Sequence, residues 1–385
     1  LHHKSKREQV DSTKSTDFAR QIQSTPPALS SYETSERFVR EALTSSLSKE
    51  GDGMPSTSRN ASALAREAGY SAPYLYLLEE DTQPVGKALS QYSQRQLVRV
   101  STAIRAGAGQ GYGEHYQPWI RIRRNFSSPV SYQIFDSVSI HKRNHHFLSA
   151  LEFHTALICA YLGAKGLREC LPMWPYEHPH PAHHLDQGQR TTRGLIEIAK
   201  HLGIDHGCFV GTTVPYVGSI DLMLNGAVGQ KALAGISCKP RAITAKSVRA
   251  QERIELDRAY CHAVGAHHHH ETGESIHPKF VENLRWLRPL ASEVRLYKES
   301  RQLADYVASF NNYALERPIR DAVAEAAREA SVVDRDPFRL WRLGIWLELI
   351  DIDLTVPVET TKMIRRASRD YLRNLRATFF GMSDE

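Results

Sequence analysis

Apolar residues recur at helical spacing in "FLSALEFHTALICAYLGA", where Leu148, Leu151, Thr155 and Ile158 share a face and Gly163 supplies a stop. "TRGLIEIAKHLGI" predicts a second helix, whereas "WIRIRR" alternates and, with "SYQIFDSVSI" and "CFVGT", predicts short strands. In "GSIDLMLNGAVGQKALAGISCKPR" the Asn225-Gly226 pair is turn chemistry, so Gly218 to Leu224 and Ala234 to Lys239 are expected to run as neighbouring antiparallel strands. Helices and strands that alternate in this way imply an α/β core. After His277 the pattern turns helical, with Asp336 and Pro337 opening "FRLWRLGIWLELI" and with Trp286, Trp341 and Trp346 at core spacing among leucines.

The segment before the core reads differently. Residues 1 to about 58 are rich in Ser, Thr, Lys and Glu, with one short helix expected around Tyr32 to Leu47, and "GDGMPSTSRN" reads as a linker. Ala61 to Asp81 places Leu64, Ala65 and Ala68 on one helical face and Tyr74, Leu75 and Leu78 on another, separated by Gly69. That is the spacing of a helix-turn-helix, and equally of a small helical hairpin docked on the rest of the chain. "RQLVRVSTAIRAGAGQGYG" predicts one more helix, with Arg95, Arg99 and Arg105, and then a glycine-rich linker. Three segments result: an N-terminal extension (1–110), an α/β domain (111–277) and a mostly helical C-terminal domain (278–385).

With 385 residues, two or three domains are the ordinary expectation. A formal charge of +6, from 49 basic and 43 acidic side chains, permits an anionic partner without requiring one. The five cysteines are scattered without a C-x-x-C pair, which argues against a disulfide framework or zinc ribbon and fits a reducing cytoplasm. No secretory leader and no apolar run of membrane-spanning length is expected. No phosphate-binding G-x-x-x-x-G-K-[ST] loop occurs, so nucleotide hydrolysis would have to come from a partner. The histidines of "HPHPAHH" and "HHHH" are expected on solvated loops rather than around zinc.

Candidate chemistry centres on the hairpin. Side chains alternate along a strand, so Ser237 and Lys239 share a face, and Asp221 on the neighbouring strand can join them. An Asp–Lys contact alone is more often a plain ion pair. Glu152 tips the balance, because a carboxylate between Leu151 and Phe153 in an apolar helix needs solvent or a partner. Glu, then Asp, then x-Lys across a strand pair resembles the active site of restriction-endonuclease-like nucleases. Two carboxylates and the Cys238 backbone carbonyl would offer Mg²⁺ its oxygen ligands, with Mn²⁺ as a substitute.

The surrounding motifs sharpen the likeness. "YQPWIRIRRNFSSPVSYQIFDSVSIHKRNHHFLSALEFHTAL", "LGIDHG", "SIDLMLNG", "GISCKPR", "ERIELDRAY" and "VENLRWL" together resemble, in that order, the TnsA family of transposon end-cleaving endonucleases. The resemblance covers roughly residues 112 to 290 and continues more weakly beyond. It implies catalytic roles for Glu152, Asp221 and Lys239, an auxiliary role for Ser237 where many members carry Gln, and an auxiliary acid at Glu255. It implies a restriction-endonuclease-like core followed by a winged-helix-like domain, with "LIDIDLTVPV" supplying the wing. The implied activity is cleavage of the 5′ strands at transposon ends, together with a DDE-type transposase and an AAA+ ATPase regulator docked on the C-terminal domain. Arg121, Arg123, Arg124 and Arg241 are the basic residues expected to meet DNA phosphates. A stand-alone restriction or repair nuclease, and an inactive DNA-binding adaptor, are the competing readings.

Overall fold

The computed structural model describes residues 89–122, 132–134, 143–182, 191–225, 233–289, 291–332, 336–366 and 369–381. The helix-turn-helix spacing at 61–81, the helix expected at 32–47, the linker that follows it and Gly226 of the hairpin turn lie outside these residues. In chain order the elements are α1 (Gln91–Arg105), β1 (Tyr132–Ile134), β2 (His145–Phe147), α2 (Ala150–Tyr161), β3 (Gly166–Met173), β4 (His178–Pro179), β5 (Thr191–Thr192) and α3 (Leu195–Leu202). There follow β6 (Gly218–Asn225), β7 (Leu233–Cys238), α4 (Arg241–Thr244), α5 (Val248–Ala263) and β8 (His267–Glu271). Among the described residues six helices follow: α6 (Pro278–Leu287), α7 (Ala291–Tyr297), α8 (Arg301–Tyr313), α9 (Ile319–Glu329), α10 (Phe338–Trp346) and α11 (Arg369–Phe380). None of the described helices is long and apolar enough to cross a membrane.

The protein is a mixed α/β structure around a four-stranded sheet of order β3-β6-β7-β8. β3, β6 and β7 are antiparallel, whereas β8 joins the edge parallel to β7, as a strand reached through a crossover helix must. Strand alternation sorts the side chains into two cores. Leu222, Leu224, Ala234 and Ile236 meet α2 and the C-terminal helices, while Met223 and Leu233 meet α3 and α5. Gly235 is what lets α5 approach: a Cβ there would stand 2.3 Å from the Cys261 sulfur. The hairpin expectation therefore holds, with strand limits shifted by a residue.

α2 begins and ends as its sequence indicates. Ser149 caps it, accepting from the Glu152 amide at 3.1 Å, and Gly163 beyond its end takes φ +96°. Helix α1 packs on the same body, with Val100 and Ile104 beside Trp119, Trp174, Phe209 and Val217.

Several expectations are corrected. "WIRIRR" is not a strand over its described residues: Trp119 and Ile120 are both buried in succession, and the Ile122 amide donates to His146 Nδ1 at 3.1 Å. "CFVGT" is a tight turn in which the Phe209 amide bonds the Val214 carbonyl and only Cys208 bridges to Pro215. "HHHH" is not a solvated loop but most of β8, held by its ladder to β7. In "HPHPAHH", His178 is buried, with Nε2 2.9 Å from the Tyr260 hydroxyl.

The C-terminal region carries no strand among its described residues, so the expected wing of a winged-helix-like domain is absent from "LIDIDLTVPV". Ile352 and Leu354 instead enter the helical core, and the Asn283 amide donates to the Leu354 and Val356 carbonyls, at 2.8 Å each. A helix side chain thus satisfies backbone groups that a wing would have paired with another strand. Trp341 and Trp346 are core residues, but Trp286 is 47 % exposed, its ring meeting Trp341 edge-on.

Candidate functional site

Glu152 sits in the first turn of α2, where the backbone leaves amides unpaired. Its Oε2 accepts from the Leu148 amide at 2.8 Å, and its Oε1 accepts from the Ser149 hydroxyl at 3.1 Å. A carboxylate with only a capping role would be held low by the helix N-terminus. Burial first, and then the negative charge of Asp221, instead push Glu152 up to about 8, against the two hydrogen bonds and Lys239. The helix cap aims this carboxylate at the sheet.

Asp221 is on β6, opposite an interruption in the neighbouring strand. The β3–β6 register runs through Glu169↔Leu222 and Leu171↔Ile220 but omits Cys170, whose φ is +48°. A non-glycine residue in that region costs about 1–2 kcal/mol, and the break lies beside the acid. The Cys238 amide on β7 donates to Asp221 Oδ2 at 2.7 Å, which fixes the carboxylate across the hairpin. Lys239 Nζ stands 3.9 Å from the same oxygen, and both side chains keep 16 % of their surface in solvent. Burial raises the Asp221 pKa; Lys239 pulls it down and the charge of Asp257 adds to the rise. Lys239 is itself anchored through its backbone, its amide donating to the Glu271 carbonyl and its carbonyl accepting from His270 Nε2, both at 3.0 Å.

Ser237 does not turn its hydroxyl to the carboxylate pair. Fully buried, it donates to Asp257 Oδ2 at 2.7 Å and accepts from His268 Nε2 at 3.0 Å; burial, more than the neighbouring cations, lowers His268 to about 4. Asp257 is paired with Arg253 at 3.0 Å, and Arg253 Nη2 donates to the Ser219 carbonyl at 2.9 Å. Gly218 makes room for this guanidinium, since a Cβ there would lie 2.3 Å from Arg253 Nη1. Among the described groups, the acid of α5 whose charge reaches Asp221 is therefore Asp257 and not Glu255, which is ion-paired with Arg258 on the outer side of the helix. The i, i+4 pair inside "ERIELDRAY" was the signal available for Asp257 and Arg253.

A second buried cluster fixes the approach to α2. Glu169 on β3 is fully buried, and Arg143 grips it with Nη1 and Nη2 at 2.6 Å each. The His146 amide donates to the same carboxylate at 3.1 Å, and His145 Nδ1 lies 3.3 Å away. Burial alone would raise Glu169, but Arg143 and His145 outweigh it and hold the carboxyl well below the usual range. β2 is pinned in this way four residues before the Ser149 cap.

Glu152, Asp221 and Lys239 are thus gathered at one place. With both carboxyls ionised the three groups would carry one net negative charge, and the elevation of the two buried carboxyls, by burial and, at Glu152, also by Asp221, is what a hard divalent cation would relieve. Among the described residues no group of three or more His, Cys, Asp and Glu side chains converges for a metal, so the fit rests on two carboxylates supplemented by backbone or water oxygen. The Cys238 thiol is buried in the core that faces α2, and burial before charge raises it far above its ordinary value. Of the arginines expected to meet phosphate, Arg241 is exposed beside Glu274 at 3.3 Å, and Arg121 donates to Gln117 at 3.2 Å. Arg123 and Arg124 lie outside the described residues.

No family model matches the chain. It is 30 % identical over 212 residues to the transposon Tn7 transposition protein TnsA of Escherichia coli, covering 54 % of this chain and 68 % of that protein.

Proposed function

The chain belongs to the TnsA family, and from that premise we propose that it is a metal-dependent DNA endonuclease that cuts the 5′, non-transferred strands at transposon ends. The observation that carries this reading is the placement of Lys239 Nζ 3.9 Å from an Asp221 carboxylate that in turn raises Glu152. The order of α2, β3, β6, β7, α5 and β8 supports a restriction-endonuclease-like core for residues 111–277.

Glu152, Asp221 and the Cys238 carbonyl would hold Mg²⁺, or Mn²⁺ in its place. Bound there, the ion supplies Lewis-acid charge for the scissile phosphodiester. Asp221 is pre-oriented by the Cys238 amide, so its carboxylate loses little freedom on engaging a ligand. Lys239, part-exposed at the rim, offers its ammonium to the attacking water or to charge developing on phosphate. Ser237 and Asp257 support β7 from behind; exposed Arg241 would meet backbone phosphates.

The activity is proposed to require a DDE-type transposase, with an AAA+ regulator docking on residues 278–385. The test is a strand-mapped cleavage assay on donor DNA carrying transposon ends, with and without the transposase. Cuts at the 5′ ends that need the partner support the proposal; efficient cutting by the chain alone would instead favour a free-standing nuclease.

A further inference from the structure

On the α5 side of the sheet, opposite Met223, β3 carries a buried cation that the site above does not use. Arg168 is 4 % exposed, and its Nε and Nη2 are buried without a hydrogen-bond partner among the described residues. Its Nη1 donates to the Tyr112 hydroxyl at 3.2 Å, and its guanidinium carbon lies 4.7 Å from the centre of that ring. Arg143, on the same sheet edge, shows what a buried guanidinium ordinarily does: it meets a carboxylate.

Arg168 faces a cleft of about 30 Å³ whose wall includes Gly109, Gly111, Trp174, His180 and Tyr260, with no carboxylate among the described residues that line it. That space is about twice what one water requires, so it takes the two oxygens on one edge of a small anion. The histidines of the wall are engaged elsewhere: His178 is bonded to Tyr176 and Tyr260, with burial lowering it to about 4, and His180 Nε2 lies 3.1 Å from the Val264 carbonyl. A buried cation with two donors unsatisfied among the described residues, on a cleft whose described lining holds no carboxylate, is half of an ion pair.

We propose that Arg168 and this cleft bind a phosphate-class oxyanion, received by Nε and Nη2 in the side-on fork that guanidinium presents to such groups. The occupant is either a free anion or a backbone phosphate of bound DNA. The site stands independently of the nuclease reading, because its first test contains no DNA.

The melting temperature of the full chain is measured with inorganic phosphate replacing chloride at constant ionic strength, for wild type and Arg168→Met. Phosphate is expected to raise the wild-type value progressively and to leave the variant unmoved, its binding weakened roughly tenfold or more. Without phosphate the variant is expected to melt above wild type, since an apolar side chain replaces an unpaired buried charge. The salt dependence of duplex binding then identifies the occupant. A slope shallower by about one in the variant assigns a DNA phosphate, and an unchanged slope with a lost phosphate response assigns a free anion. Should Arg168→Met fail to fold, broadening of the ³¹P signal of phosphate by the wild-type chain, competed by sulfate, reads the same site; absence of broadening overturns the proposal. Equal phosphate responses in both proteins with an unchanged slope would also overturn it.

Discussion

Replacing Glu152 with glutamine removes one charge from the buried carboxylate pair and keeps an oxygen for the Leu148 amide. In the wild-type chain burial, followed by Asp221, raises this carboxyl from 4.5 to about 8. At about 1.4 kcal/mol per pH unit, folding disfavours the ionised form by about 5 kcal/mol. Between those two values the folded chain retains a proton that the unfolded chain has released, so stability falls as pH rises from 4.5 to about 8 and levels off above. Glu152→Gln has no such titration. Denaturant unfolding in EDTA should therefore find the two proteins within about 1 kcal/mol of each other near pH 4.5, and the variant ahead by several kcal/mol at pH 9. Added Mg²⁺ should recover wild-type stability at the alkaline end and do little for the variant. Parallel stability curves across this range would refute the claim that Glu152 and Asp221 share one electrostatic site.

Three further outcomes follow from the packing. Glu255→Ala should leave DNA cleavage within about twofold of wild type, because that carboxylate is paired with Arg258 away from Asp221; a loss as large as that of a catalytic variant would restore it to the site. Glu169→Gln leaves the Arg143 charge buried and should cost about 3–5 kcal/mol by denaturant unfolding. Since the folded pKa of Glu169 is depressed, its stabilisation is present above the ordinary carboxylate range and lost as pH falls below it, so the variant should narrow its deficit in acid. Trp341→Ala empties a fully buried position among α6, α8 and α10 and should cost about 3–5 kcal/mol in the same assay.

What the sequence made legible was whatever depended on local periodicity and turn chemistry. α2 with its Gly163 stop, the β6–β7 pair and the meeting of Asp221 with Lys239 all follow from short-range spacing. The residues that escaped notice are set by tertiary contact. Asp257 and Glu255 lie two apart on one helix with the same chemistry, and only the docking of α5 against β7 decides which acid turns inward. The "HHHH" run has the composition of a loop, but the edge of β7 offers it a ladder, and His270 then braces the Lys239 carbonyl. "LIDIDLTVPV" alternates like a wing strand, yet Asn283 from α6 satisfies its carbonyls. The left-handed Cys170 opposite Asp221 has no sequence signature at all, since glycine is the residue that normally announces that conformation.

Whether this carboxylate–lysine site breaks phosphodiester bonds is decided by nicking of transposon-end DNA by wild type and Asp221→Ala, assembled with the proposed partner transposase in Mg²⁺. Wild type should cut the 5′ strands and the variant should lose those cuts, while 3′-strand cuts by the proposed transposase partner persist. Equal 5′ cutting by both proteins, or none by wild type in the assembled complex, would contradict the proposal.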